Sequence, residues 1–245
     1  MIGALGDIHG AFDAARRVIA SHPDIPFWLC VGDIADEAGR YEPLGARIYW
    51  IHGNNDNFDA IAAGDLPDDL HHIENGSYVE ICHRGEPVLE VVGLGGTFAP
   101  TWYETPAADL PHPKKGSAKA TELADPSTGS GSSRAKSRDD KRRHFVREEV
   151  EACKAFRGMV DIFMTHEAPK PFRPFPGGRG PDAGKAQVNE VLRAIEPRLH
   201  LFGHHHRFSD QTAEGVRSIG LDLVTRSYVL IDAGTFDIEL VTVKY

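Results

Sequence analysis

The 245-residue sequence is poor in cysteine: Cys30, Cys82 and Cys153 give an odd number, with no C-x-x-C pair among them. This is not the pattern of a disulfide scaffold, and it fits a reducing compartment. Cys30, inside the apolar run Phe27–Val31, reads as a small buried hydrophobe. Positive charge is also scarce. Lys and Arg number 27 against 36 Asp and Glu, for a net charge of −9, which argues against a protein that coats nucleic acid by charge alone. A phosphate-bearing substrate remains open, because bound metal ions can supply positive charge where it is needed. No apolar window approaches the length of a membrane span. A charged motif begins by Asp7, leaving no apolar leader before it. A soluble cytoplasmic protein is the expectation.

What is present is an alternation of short apolar runs with helix-like stretches. Ile2–Leu5, Phe27–Val31, Arg47–Ile51 and Val88–Leu94 read as strands, and Phe12–Ala20 as an amphipathic helix. After the middle of the chain the rhythm resumes. Val160–Met164 and Arg198–Phe202 read as strands and Ala183–Ile195 as a helix. Ser227–Ile231 and Ile238–Val243 read as strands paired across the Ala233-Gly234-Thr235 turn region. Between them, about residues 105–140 are rich in Pro, Gly, Ser, Lys and Asp and nearly devoid of large apolar residues, as in a long polar loop. From Lys141 to Phe156 a helical pattern returns, with Phe145, Val146, Val150, Cys153 and Phe156 as candidate buried positions. The expected organisation is one domain over 1–245 carrying a polar insertion.

Five short motifs each follow an apolar run: Gly6-Asp7-Ile8-His9-Gly10, Gly32-Asp33-Ile34-Ala35-Asp36, Gly53-Asn54-Asn55-Asp56, Thr165-His166-Glu167 and Gly203-His204-His205-His206. In open α/β sheets, sites gather at the carboxyl ends of strands, so these motifs would deliver Asp, His and Asn side chains to one edge. Asp7 and His9 are two apart, as are His204 and His206, so each pair can aim to one side of an extended segment. Any one motif alone would be read as a turn or a solvated loop. Together, Asp7, His9, Asp33, Asn54, His166, His204 and His206 exceed what one ion needs. A shared carboxylate would hold two ions about 3.5–4 Å apart. Carboxylate and imidazole donors suit Mn, Fe, Zn or Ni better than Mg or Ca. His166 and His204 should bind as neutral imidazoles, so metal affinity should fall at acid pH. Asp36 and Asp56 read as groups that orient ligands. His22, His71 and His72, in polar stretches, read as surface residues.

The ordered set GDIHG, GDIAD, GNND, THE and GHHH resembles the calcineurin-like metallophosphoesterases, from Gly6 to His206. The resemblance implies an α/β fold, a four-layer α/β/β/α sandwich of two mixed sheets flanked by helices. It assigns one metal to Asp7, His9 and His206, and a second to Asn54, His166 and His204, with Asp33 bridging. It further implies two divalent ions, manganese first among the candidates, and a hydroxide bridging them that attacks phosphorus in line. A weaker resemblance, through Val92–Phe98, His144–Arg147 and Asp161–Glu167, is to the RNA lariat debranching enzymes. The expected activity is hydrolysis of a phosphodiester in a nucleotide or RNA. A phosphomonoesterase or protein phosphatase is the enzymatic alternative, and a catalytically silent scaffold the non-enzymatic one.

One position departs from the family pattern. Where relatives commonly carry a histidine, this chain has Asn55, whose amide can donate a hydrogen bond but cannot serve as a general acid near neutral pH. Asn55, Asp56 and His205 are therefore the candidate catalytic residues, with His205 first in line to substitute for the missing histidine. Between residues 114 and 147 there are ten Lys or Arg against four Asp or Glu. That local surplus suits contact with a polyanion, or is a solvated loop.

Overall fold

The computed structural model describes residues 1–112, 139–175 and 180–244, so most of the expected insertion at about 105–140 lies outside the described residues. In chain order the first half comprises β1 (Ile2–Leu5), α1 (Phe12–Ala20), β2 (Trp28–Cys30), β3 (Ile48–Trp50), α2 (Phe58–Ala63), β4 (Leu70–His72), β5 (Tyr78–His83), β6 (Glu86–Leu94) and β7 (Thr97–Phe98). The second half comprises β8 (His144–Phe145), α3 (Arg147–Cys153), β9 (Ile162–Thr165), α4 (Ala186–Ile195), β10 (Leu199–Phe202), β11 (Ser209–Ala213), β12 (Val216–Gly220), β13 (Ser227–Ile231) and β14 (Ile238–Thr242).

Two six-stranded mixed sheets result, ordered β14-β13-β1-β2-β3-β4 and β11-β12-β10-β9-β6-β5. Strands β1 to β4 run parallel, as do β6, β9, β10 and β12. Alternation along each strand sends successive side chains to opposite faces. Ile2, Ala4, Leu29, Val31, Ile162, Met164, Leu199 and Leu201 meet in the core between the sheets. On the far face of the first sheet, Leu5, Trp28, Cys30 and Trp50 pack under Ala15, Val18 and Ile19 of α1. On the far face of the second, Phe163 and Val92 pack under Val150 of α3 and Val188, Val191 and Leu192 of α4. The layers are therefore helix, sheet, sheet, helix, as the motifs implied. Cys30 is fully buried. Among the described residues, no helix is long and apolar enough to cross a membrane.

Several local expectations shift. The segment from Lys141 begins with a single 3-10 turn. His144 and Phe145 then pair in parallel with Thr97 and Phe98, and α3 starts only at Arg147. Phe145, Val146, Val150 and Cys153 are buried as expected, whereas Phe156 is only partly buried, stacked on Tyr78. Likewise α4 starts at Ala186 rather than Ala183. Gly184 sits so close to Pro169 and Lys170 that a Cβ would clash with their backbone, and Asp182 accepts from the Phe172 and Gly184 amides. The hairpin β11–β12 has no clear sequence signature, since Ser209–Ala213 is a polar edge strand. Its turn residues Glu214 and Gly215 both have positive φ, as a two-residue hairpin requires. The β13–β14 pairing matches the expected one, with Ser227 opposite Thr242 and Ile231 opposite Ile238.

The start of α3 carries a pH dependence. Glu149 reaches back to accept from the Val146 amide at 2.8 Å. Burial pushes its carboxyl up to about 7, against the pull of that amide and of Asn75. The folded state therefore binds a proton that the unfolded chain, with an ordinary glutamate, releases above about pH 4.5. The stability it contributes is full below that value and is lost as pH rises towards 7, by about 3 kcal/mol at most. Glu149→Gln keeps the acceptor and removes the charge. In chemical unfolding at pH 5 and pH 8, the variant is expected to lose less stability than the parent over that interval. Equal losses would rule out this origin.

Candidate metal centre

The loops that follow β1, β2, β3, β9 and β10 converge at one end of the sandwich, and they carry all seven proposed ligands. Sharp turns bring them together. His9, Asp33, His204 and His206 have φ of 47°, 52°, 68° and 48°, the left-handed region that costs an L-residue roughly 1–2 kcal/mol. They are four of the eight non-glycine residues in that region among the described residues, so strain is concentrated where the proposed ligands sit. Two glycines permit the close approach: a Cβ on Gly53 would overlap the Asp33 carboxylate, and one on Gly203 would press on Asp7 Oδ1.

The side chains form two overlapping groups. In the first, His9 Nε2 and His206 Nε2 lie 3.0 Å apart, and Asp7 Oδ2 is 3.0 Å from His206 and 3.8 Å from His9. In the second, His166 Nε2 is 3.1 Å from Asn54 Oδ1 and 3.6 Å from Asp33 Oδ2. Asp33 Oδ2 is also 3.7 Å from His9 Nε2 and so faces both groups. His204 joins through its ring, 4.9 Å from that of His166, while its backbone amide donates to Asp7 Oδ1 at 3.2 Å.

Charge and hydrogen bonding suit this cluster to cations. Asp7 and Asp33 are each 1% exposed, a costly placement for two carboxylates without compensating positive charge. Asp7 Oδ2 makes no well-directed hydrogen bond. Burial opposes ionisation of Asp7, but the contact with His206 and the nearby His166 and His9 rings outweigh it and hold its carboxyl below the usual range. His166 is buried too, which disfavours its cation. Asp33 and Asp7 nonetheless raise its tendency to hold a proton. A divalent ion can replace those protons with a stronger charge. The Nδ1–H of His166 can donate to the Val31 carbonyl at 2.8 Å, which leaves the Nε2 lone pair available to a cation. Burial pushes His204 down to about 2, so it offers a neutral imidazole. Asp7, His9 and His206 present ligand atoms within 4.8 Å of one another, as do Asp7, Asp33 and His166.

The three candidate catalytic residues occupy different settings. The Asn55 side-chain amide donates to Asp33 Oδ2 and its backbone amide to Asp33 Oδ1, both at 2.7 Å. Asp56 accepts from the amides of Gly53, Asp33, Ile34 and Ala35 at 2.7–3.1 Å. It thus ties the second motif to the third, as expected of a group that orients ligands. Burial and the neighbouring Asp33 raise its carboxyl to about 6. The His205 ring packs 4.7 Å from that of Phe172, with Nε2 3.9 Å from Glu167 Oε2. Asp36 binds Arg40 and the Ala38 amide at the rim.

Sequence reasoning passed over His52, which is buried with Nδ1 3.3 Å from His72 Nε2. His72, expected at the surface, is partly buried, and burial lowers it to about 4. His22 and His71 are partly buried as well, on Trp28 and Tyr49. Each sits beside an aromatic side chain supplied by another segment, which its own polar stretch does not reveal.

The chain belongs to the calcineurin-like phosphoesterase family, whose model matches residues 1–208. No curated protein matches the sequence. Among solved structures it is similar to the protein TT1561 of Thermus thermophilus, with 15% identity, a TM-score of 0.64 and coverage of 99% of this chain and 98% of that one. It is also similar to a phosphopantetheinyl hydrolase from Mycobacterium tuberculosis, with 14% identity, a TM-score of 0.52 and coverage of 91% and 90%. At these identities the likeness is one of fold. Family membership makes the chain a metallophosphoesterase, a hydrolase of phosphoesters that uses divalent metal.

Proposed function

We propose that the protein is a dinuclear phosphodiesterase, acting on a phosphodiester of a nucleotide or RNA with two divalent ions, manganese foremost. The observation that carries the dinuclear reading is the position of Asp33 Oδ2, 3.7 Å from His9 Nε2 and 3.6 Å from His166 Nε2. One carboxylate thereby faces both groups of ligands. Asp7, His9 and His206 would hold one ion, and Asn54, His166 and His204 the other. Two such ions acidify a water and neutralise phosphoryl oxygens. Asn55, anchored on Asp33, keeps a second amide hydrogen for a phosphoryl oxygen.

Rim charge supports a diester. Arg40 is matched by Asp36 and Arg226 by Asp222. With these cations already balanced, the single charge of a diester suits the site better than the dianion of a monoester. The Lys and Arg surplus between 114 and 147 supports a polyanionic partner.

Metal analysis of the purified protein, with paired assays on bis-p-nitrophenyl phosphate and p-nitrophenyl phosphate in Mn²⁺, tests this reading. About two ions per chain and faster turnover of the diester are expected. Faster monoester turnover would replace the proposal with a phosphomonoesterase, and absence of both metal and turnover would point to a scaffold.

A further inference from the structure

Beside the second group of ligands lies a corner that the proposed hydrolysis does not use. Glu167 follows the ligand His166 and is 2% exposed. Its Oε1 accepts from the Phe98 amide at 3.1 Å. Its Oε2 is buried with no hydrogen-bond partner. Two other groups aim at that oxygen: Lys185 Nζ at 3.6 Å and His205 Nε2 at 3.9 Å. His205 Nε2 is likewise buried without a hydrogen-bond partner. Lys185 gives one of its three hydrogens to the Ala183 carbonyl at 2.8 Å. Both Lys185 Nζ and His205 Nε2 stand just beyond direct hydrogen-bonding distance of that oxygen. Phe172, 3% exposed, packs against the His205 ring. The rings of His204 and His205 are 5.0 Å apart, so one imidazole separates this corner from the proposed second ion.

An unpaired buried acceptor, a lysine with spare donors and an unpaired imidazole nitrogen match a group that both donates and accepts. A hydroxyl does so, donating to Glu167 Oε2 while accepting from Lys185 or His205. Resting on the phosphodiesterase reading, we propose that Glu167, Lys185 and His205 form a subsite for a hydroxyl on the alcohol portion of the substrate, of the kind a sugar or polyol carries next to its phosphate. His205 is thereby a binding residue, reached from the side of His166 and His204. Specificity of this type is strong, because a substrate lacking the hydroxyl leaves buried polar groups unpaired.

Two chromogenic diesters test this: 2,3-dihydroxypropyl p-nitrophenyl phosphate and propyl p-nitrophenyl phosphate. They share charge and leaving group and differ only in hydroxyls. The wild-type protein loaded with Mn²⁺ is expected to favour the dihydroxy ester in kcat/KM by roughly 10-fold to 100-fold, the range expected of a hydrogen bond to a charged group. Lys185→Met and Glu167→Gln should each bring that ratio close to one. The ratio is insensitive to a general loss of folded or metal-loaded protein, which lowers both rates together. Hydrolysis of both esters at equal kcat/KM by the wild type overturns the subsite and leaves the phosphodiesterase reading standing. An unchanged preference in both variants also overturns it. No turnover of either ester overturns both readings.

Discussion

Asp33→Ala is expected to abolish metal retention and hydrolysis while leaving the protein folded. Asp33 is buried, and its Oδ2 faces His9 on one side and His166 on the other. Asp56 cannot take over that position, because it is committed to four backbone amides, and Asp7 Oδ2 already faces His206 and His9. Groups that merely support ligands cost about 10–100-fold when removed. A carboxylate shared by both ions should exceed that, with activity falling on the order of 10³-fold or more. Stability should respond differently. Removing a buried carboxylate relieves its desolvation cost in the metal-free protein but leaves the Asn55 backbone and side-chain amides without that acceptor, so the apo form should unfold close to the parental temperature. Metal content per chain, turnover and thermal unfolding of the apo protein check these three outcomes. Parental metal content with activity within tenfold of the parent would refute the shared ligand.

Asp56→Ala is expected to be damaging for the opposite reason, through the fold rather than through the ions. The side chain is 3% exposed and accepts from Gly53, Asp33, Ile34 and Ala35. Alanine would leave those amides without a partner, at about 1–3 kcal/mol for each that water cannot reach. The desolvation that raises the Asp56 carboxyl to about 6 offsets part of this loss, because the charge itself is expensive to bury. A net loss of about 3–5 kcal/mol follows, or a fall in Tm of roughly 10 °C for a chain of this size. Asp56→Asn keeps one acceptor oxygen but turns an NH₂ towards the amides, and should fall between parent and alanine. Thermal unfolding of the apo proteins ranks the three. An alanine variant as stable as the parent would show that the amides find other partners.

These two aspartates mark the boundary between what the chain order conveys and what folding adds. The residues that converge at the candidate centre were legible because each motif is short and sits at the end of a predicted strand, so residue type and spacing suffice to single them out. The alternation of strands and helices pointed to an α/β domain, and the four-layer arrangement followed from the family resemblance. The start of α3 was misplaced because periodicity alone does not reveal that Phe145 pairs beside Phe98, a contact between distant segments. The burial of His52 and His72 was missed for the same reason: each is covered by the other and by Trp50 or Phe58.

By itself, the sequence determined the chemistry on offer: carboxylates, imidazoles and an asparagine at five strand ends, and an amide at position 55 where a proton donor is usual. Tertiary structure alone decided the pairings. It set Asp33 between His9 and His166, tied Asn55 to Asp33, and brought Lys185, from the entrance of α4, and His205 to the buried Glu167. Local spacing can fix which side of a strand end a residue faces. Which distant residue it meets depends on how the two sheets stack, and that is settled by the packing of the whole core.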